Sequence, residues 1–245
     1  MFAPHAFDPN HLLSLLGRPD CPQLLDVCLA QDFAEDPRVI PTATRISHDQ
    51  ISDAPVHGEV VVVCQKGLKL SQGAAARLRN RGVEAGFLVG GVSAWKQSGM
   101  PLIAATDLES AQLWVTGHRP NPNTLAAIWV VKRFICRTAE FMFVEPDQVD
   151  LVAQNFAAQT INQTGFEDLI DQFSLTLPAL DKMAGLLRTR SSDAETAGLN
   201  AVLVGLALQH TEDLQLMDAA LSLFDTIYRW AQDTASQPPK AQIHA

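Results

Sequence analysis

The sequence predicts an α/β fold, a parallel sheet flanked by helices, followed by a mainly helical second domain with a few strands. Three observations carry this. In the first part of the chain short apolar runs alternate with helical stretches, the pattern of a parallel sheet. The run Glu59-Val60-Val61-Val62-Val63-Cys64 has no polar alternation, as expected of a central strand covered on both faces. Beyond residue 144, helical periodicity takes over altogether.

Element by element, residues 9–16 read as a helix, 23–27 as a strand, 60–64 as a β-branched strand, 71–81 as a helix and 87–89 as another short strand. A Gly99-Met100-Pro101 turn signal and a shift in composition over residues 103–111 mark the boundary. The expected domains are 1–105, a linker 106–112, a second domain 113–233 and a flexible tail 234–245. The second domain opens with strands at 112–116 and 139–144 around a helix at 123–134, and then reads as helices alone. Leu214, Met217, Leu221, Phe224 and Tyr228 recur at steps of three and four and so line one helix face. Leu199, Val202, Leu203 and Leu206 do the same one helix earlier, and both faces are read as core.

Composition excludes several function classes. Of 245 residues, 18 are Lys or Arg and 27 Asp or Glu, a net charge of −9 that repels phosphate backbones and anionic headgroups. Neither nucleic acid nor a membrane is therefore an expected partner. No apolar run approaches the ~20 residues of a spanning helix, and the start lacks a signal-type segment, so a soluble cytoplasmic protein is expected. The four cysteines, Cys21, Cys28, Cys64 and Cys136, form neither a disulfide framework nor a CxxC pair. The seven histidines show no HxxxH or HxH spacing, so no metal and no other cofactor is expected. Nothing in the sequence indicates an oligomeric state.

Chemistry concentrates in the stretch from Cys64 to Arg79. It passes from a strand end through a short loop into a helix, which places Cys64 at a helix N-terminus. Unpaired backbone N–H groups and the helix dipole stabilise a thiolate or a bound anion there. Lys66 and Lys69 add two cations, and both effects favour the reactive thiolate form. Gly67 permits the positive φ of an anion-cradling loop, and Ser71 is expected to cap the helix. The alternative is a cysteine that merely ends a buried strand, since free cysteine is among the most buried residue types.

These residues resemble the rhodanese-like domains over roughly residues 8–104. The marks are Leu25-Asp26-Val27, then Val39-Ile40-Pro41-Thr42-Ala43 where the family has Ile-Pro-Gly-Ala, then the Cys64 loop. They close with Gly90-Gly91-Val92-Ser93-Ala94-Trp95 followed by Gly99 and Pro101. The resemblance implies a five-stranded parallel sheet with helices on both sides. It also implies a cysteine that takes sulfane sulfur, holds it as a persulfide and passes it to a thiophilic acceptor. The implied site is Cys64 with Lys66, Gly67, Lys69 and Asp26, serving a small sulfur-containing anion and a thiol acceptor. Two departures stand out. Cys28 occupies the place of the arginine in the family's Asp-Val-Arg, which makes Cys28 a candidate resolving thiol or, alternatively, a buried space-filler. The loop also looks one residue longer, resembling the related cysteine phosphatases, but Leu70 stands where those need arginine, which disfavours phosphatase chemistry.

Residues 112–232 resemble the C-terminal domain of the chromate-resistance protein family. The resemblance rests on Trp114-Val115-Thr116, Arg119-Pro120, Trp129 to Ile135, Ala139 to Val144, Glu195 to Leu199 and Tyr228-Arg229-Trp230. A cysteine and proline common in that family are replaced by Ala127 and Ile128, and a His and Cys element by residues 159–165. What remains is a cationic set, Arg119, Lys132, Arg133 and Arg137, with Arg119 and Arg133 as candidate oxyanion contacts. The alternative for this set is a solvated face or salt bridges to Glu140 and Asp147. Two functions remain open: a sulfurtransferase acting in chromate or oxidative stress, and a non-catalytic thiol or oxyanion sensor.

Overall fold

In the computed structural model, residues 5–161, 164–188 and 194–235 are described. Its contacts divide the chain into two units: Met1–Glu109 with Arg133–Arg137, and Ser110–Lys132 with Thr138–Ala245. Of the tail expected over residues 234–245, residues 236–245 lie outside the described residues while 234 and 235 still belong to a helix; Asn162 and Gln163, in the segment expected to replace a His and Cys element, also lie outside them.

The first unit runs β1 (Ala6–Phe7), α1 (Pro9–Leu15), β2 (Gln23–Asp26), α2 (Ala30–Glu35), β3 (Arg38–Val39), β4 (Thr44–Arg45) and β5 (Val60–Val63). It continues with α3 (Lys69–Asn80), β6 (Ala85–Leu88), α4 (Gly91–Gln97), β7 (Ile103–Ala104) and α5 (Ala105–Leu108). Five strands form one sheet in the order β1-β6-β5-β2-β4, with every pair parallel. β5 lies at the centre and all four of its valines are buried, because helices cover both faces. Asp8 starts α1 by accepting the N–H groups of Asn10 and His11, and Pro9 fits the first helical turn, where no N–H partner is needed. The edge strands β1 and β4 are two residues long, too short for a periodic signal, and only their neighbours reveal them.

Trp95 closes this unit. It is fully buried and its indole N–H donates to the Pro101 carbonyl at 2.8 Å, which accounts for a tryptophan and a proline six residues apart. Arg137 donates to the carbonyls of Pro19 and Cys21 at 3.0 and 2.6 Å, so the segment Arg133–Arg137 is tied to the turn before β2.

The second unit runs β8 (Leu113–Gly117), α6 (Pro122–Val130), β9 (Glu140–Val144), α7 (Val149–Phe156), β10 (Gln159–Ile161), α8 (Phe166–Gln172), α9 (Pro178–Leu187), α10 (Ala194–Gln209) and α11 (Asp213–Ala235). Its sheet has the order β10-β8-β9 and is parallel throughout. The expectation of helices alone after residue 144 misses β10, three residues that pair with Trp114 to Thr116. Residues 125–130 of α6 are all buried, and the turn that follows, Val131–Ile135, widens into a π-helix. Trp129 holds the core: its N–H donates to Asp225 at 2.8 Å, and its ring meets Phe166, Phe224 and Tyr228 at 5.2–6.5 Å. The face expected on α11 is buried at Met217, Phe224 and Tyr228, but Leu214 is exposed. On α10, Val202 is likewise exposed although Leu203 is buried.

Thr42 has a φ of +66°, a conformation costly for a β-branched residue. Its hydroxyl oxygen is buried without a partner. Thr42→Gly should therefore stabilise the first unit by about 1–2 kcal/mol. Urea denaturation of the two proteins checks this; a less stable Thr42→Gly protein contradicts it.

Candidate active site at the Cys64 loop

Four consecutive valines make β5 a central strand, and that strand delivers Cys64 to the carboxyl edge of the sheet. Reactive crevices of open parallel sheets lie there. Cys64 is 4% exposed. Its thiol donates to the Ser71 hydroxyl at 3.1 Å, and that hydroxyl donates to the Leu68 carbonyl at 3.3 Å. Ser71 is thus not the cap expected from the sequence. α3 begins two residues earlier, at Lys69, and Leu68 occupies the cap position with no side-chain bond. The N–H groups of Lys69, Leu70 and Ser71 consequently have no acceptor within the helix.

Two of the loop carbonyls are held by α4, and a third by the first turn of α3. Val92 donates its N–H to the Cys64 carbonyl at 3.1 Å, and Ser93 donates to that of Gln65 at 3.0 Å. The Gln72 amide donates to the Gly67 carbonyl at 3.3 Å. With the Cys64 and Gln65 carbonyls held by α4, their negative ends are drawn away from the loop interior. This arrangement requires two side-chain-free residues. Gly67 has φ +63° and a Cβ there would lie 2.3 Å from the Leu88 carbonyl oxygen; at Gly91, φ +58°, a Cβ would lie 1.9 Å from that of Cys64. The Gly90-Gly91 turn and the cysteine loop therefore interlock, although the sequence separates them by more than twenty residues.

Asp26 and Cys28 sit on the neighbouring strand end. Asp26 is the register partner of Val63, and Val27 donates to the Val63 carbonyl at 2.9 Å. The Asp26 carboxylate is buried and accepts the Cys28 N–H at 2.8 Å and the Arg45 guanidinium at 3.1 Å. Arg45 also donates to the Cys28 carbonyl at 3.2 Å, and its guanidinium lies 3.5 Å from the Phe33 ring centre. Asp26 thereby fixes the turn beside Cys64, with its charge balanced by Arg45. The sequence reading missed Arg45, because it lies nineteen residues away on a two-residue strand and only strand pairing brings it opposite Asp26. Burial pushes the Cys28 thiol far above its usual range, reinforced by Asp26 and by Cys64. Cys21 is raised to about 11, again chiefly by burial. Both stay protonated at neutral pH.

Lys66 and Lys69 are exposed beside the loop and form no ion pair among the described residues. The cations of the second half are placed differently. The Arg119 guanidinium donates to the carbonyls of Ala207, His210 and Thr211 at 2.6–3.3 Å and so closes the C-terminal end of α10. Lys132 donates to the Ala139 carbonyl at 2.5 Å, and Arg137 to the turn before β2. All three hold backbone oxygens. Arg133 belongs to the segment counted with the first unit, Arg119 to the second. Among the described residues no cluster of His, Cys, Asp or Glu is arranged to hold a metal ion, and no helix is long and apolar enough to cross a membrane.

Residues 114–231 match the family described as ChrB, C-terminal domain. No curated protein matches the chain. Solved structures similar to the first half include a rhodanese-related protein from Thermoplasma volcanium, 17% identical, covering 40% of this chain and 97% of that one with a TM-score of 0.35. A thiosulfate sulfurtransferase from Pseudomonas aeruginosa is 29% identical and covers 40% of this chain and 19% of its own, with a TM-score of 0.36. A rhodanese homologue from Thermus thermophilus, also 29% identical, covers 36% and 95%, with a TM-score of 0.30.

Two outcomes follow from this geometry. Gly91→Ala must push the Cys64 loop off α4, and overpacking together with a strained φ should cost the first unit about 3 kcal/mol in urea denaturation. A variant as stable as the parent contradicts the interlock. Iodoacetamide at pH 7.5 should leave Cys21 and Cys28 unmodified in the folded protein, as peptide mapping would show; rapid labelling of Cys28 contradicts the buried, protonated thiol.

Proposed function

We propose that the protein is a sulfurtransferase that carries sulfane sulfur as a Cys64 persulfide, working in the reducing cytoplasm in the response to chromate or oxidative stress. The observation that carries this reading is the Cys64 thiol at the mouth of an uncapped helix, bonded to Ser71, in a loop whose Cys64 and Gln65 carbonyls are held by α4.

In the first step the Cys64 thiolate attacks the outer sulfur of an anionic donor of the thiosulfate type. A Cys64 S–S bond forms, the donor's S–S bond breaks, and sulfite leaves with the bonding pair. In the second step an acceptor thiolate or cyanide attacks the terminal sulfur, and the Cys64 thiolate departs with the pair of the broken bond. The sulfane sulfur ends in the same oxidation state in the acceptor, so no further oxidant is needed. The amides of Lys69, Leu70 and Ser71 stabilise the terminal sulfur anion as an oxyanion hole stabilises oxygen. The Ser71 hydroxyl, which accepts from the thiol, rotates to donate once Cys64 is charged. Lys66 and Lys69 attract the anionic donor to a protein that otherwise repels it. Asp26 is a positioning residue, holding the neighbouring turn through Cys28 and Arg45.

A second reading, a thiol or oxyanion sensor without turnover, is favoured by Cys28 in the arginine's place. A protonated thiol there brings no charge to a bound anion. As a resolving thiol, Cys28 would also have to lose a proton that burial and Asp26 retain.

Steady-state transfer from thiosulfate to cyanide or a dithiol separates the two. Cys64→Ser should abolish transfer without altering thermal unfolding. Ser71→Ala should lower kcat about tenfold to a hundredfold. Lys66→Ala with Lys69→Ala should raise the KM for thiosulfate while kcat changes little. Full activity in Cys64→Ser, or no transfer by the parent with any sulfane donor, overturns the enzyme reading.

A further inference from the structure

From Ala197 to Leu208 only Asn200 is polar, so α10 is apolar around nearly its whole circumference. Such helices belong inside a core or between chains. Yet Thr196 and Leu203 are the buried residues of α10. Val202, Val204 and Leu208 are 49%, 56% and 77% exposed, and Leu214 beyond the next turn is exposed as well. Half of the large apolar residues exposed among the described ones thus fall on this single hairpin, which makes them a patch rather than scattered surface. Val202 also borders an apolar recess of about 330 Å³ with Leu199, Leu223, Ile227 and Trp230, so the apolar surface continues onto α11.

We propose that the outward face of α10 is the seam of a homodimer, with the helix lying antiparallel on its copy about a two-fold axis near Val202 and Val204. The outward line is Gly198, Ala201, Gly205 and Leu208, spaced three, four and three residues apart, with Val202 on one flank and Ala197 and Val204 on the other. Along it three small residues precede a single large one, Leu208. Only an antiparallel copy sets large against small: Leu208 meets Gly198 of the other copy, and Ala201 meets Gly205. Each flanking valine meets its own counterpart across the axis, as an isologous interface requires. No Asp, Glu, Lys or Arg lies between Glu195 and Glu212, so the seam buries no charge. The same pairing brings Glu195 of one copy level with His210 of the other, and it opposes the two helix dipoles favourably. A sixteen-residue helix is ~24 Å long, and its strip falls short of the ~800 Å² per partner of a tight complex. The dimer is therefore a weak one, half-dissociated in roughly the tens of micromolar.

Sedimentation velocity of the intact chain from about 5 to 200 µM tests this, spanning the range expected of a small interface. The parent should shift from monomer to dimer, and Leu208→Glu, at an already exposed position, should remain monomeric. Copper-phenanthroline oxidation fixes the register: Val202→Cys should give a disulfide-linked dimer beyond the level of the parent, whose native cysteines serve as the baseline. Leu208→Cys, facing Gly198, should not. A parent that stays monomeric, a Leu208→Glu protein that dimerises like the parent, or equal linking of the two introduced cysteines overturns the proposal.

Discussion

The carbonyl of Cys64 can receive an N–H from α4 because Gly91 has no side chain; a single Cβ would overlap that oxygen at 1.9 Å. Everything at the candidate site depends on this approach. It holds the Cys64 and Gln65 carbonyls on α4, and it lets Gly67 lie against the Gly90-Gly91 turn. The start of α3 has no side-chain cap, and Ser71 in its first turn accepts from the Cys64 thiol. In the proposed sulfurtransferase the two lysines supply long-range attraction, and short-range selectivity for a terminal sulfur anion comes from backbone. A backbone-built cradle tolerates much variation in side chains, which fits a loop whose charged residues are exposed.

The sheet was legible because its central strand is written in one residue type: four buried valines leave no alternative to a covered position. The helix after Cys64 was legible in kind but not in start, because Ser71 has the chemistry of a cap and is instead drawn inside by the thiol. Arg45 was illegible for a different reason. A two-residue edge strand has no periodicity, and its pairing with Asp26 is a property of the assembled sheet. β10 escaped on the same ground. Thr42 marks the converse case, where a β-branched residue holds a positive φ that its own chemistry would not suggest.

The second half shows how residue type alone misleads about charge. Arg119, Lys132 and Arg137 looked like an anion-binding set, yet each holds backbone carbonyls. Arginine serves helix C-termini as well as it serves oxyanions, since both present oxygen to a planar fork of donors. The unit that matches the ChrB C-terminal domain is organised around Trp129 and its aromatic neighbours, and its Arg119 and Lys132 hold backbone oxygens. Its reserve of unpaired surface is apolar and lies on α10.

The central claim is that the Cys64 loop holds a terminal sulfur anion. The most direct measurement is peptide-level mass spectrometry of the intact protein after incubation with thiosulfate, followed by an acceptor chase with cyanide. The account predicts one added sulfur on the peptide that contains Cys64, lost on the chase, with Cys28 unmodified throughout. No added sulfur on Cys64, or sulfur added only at the partly exposed Cys136, would contradict it.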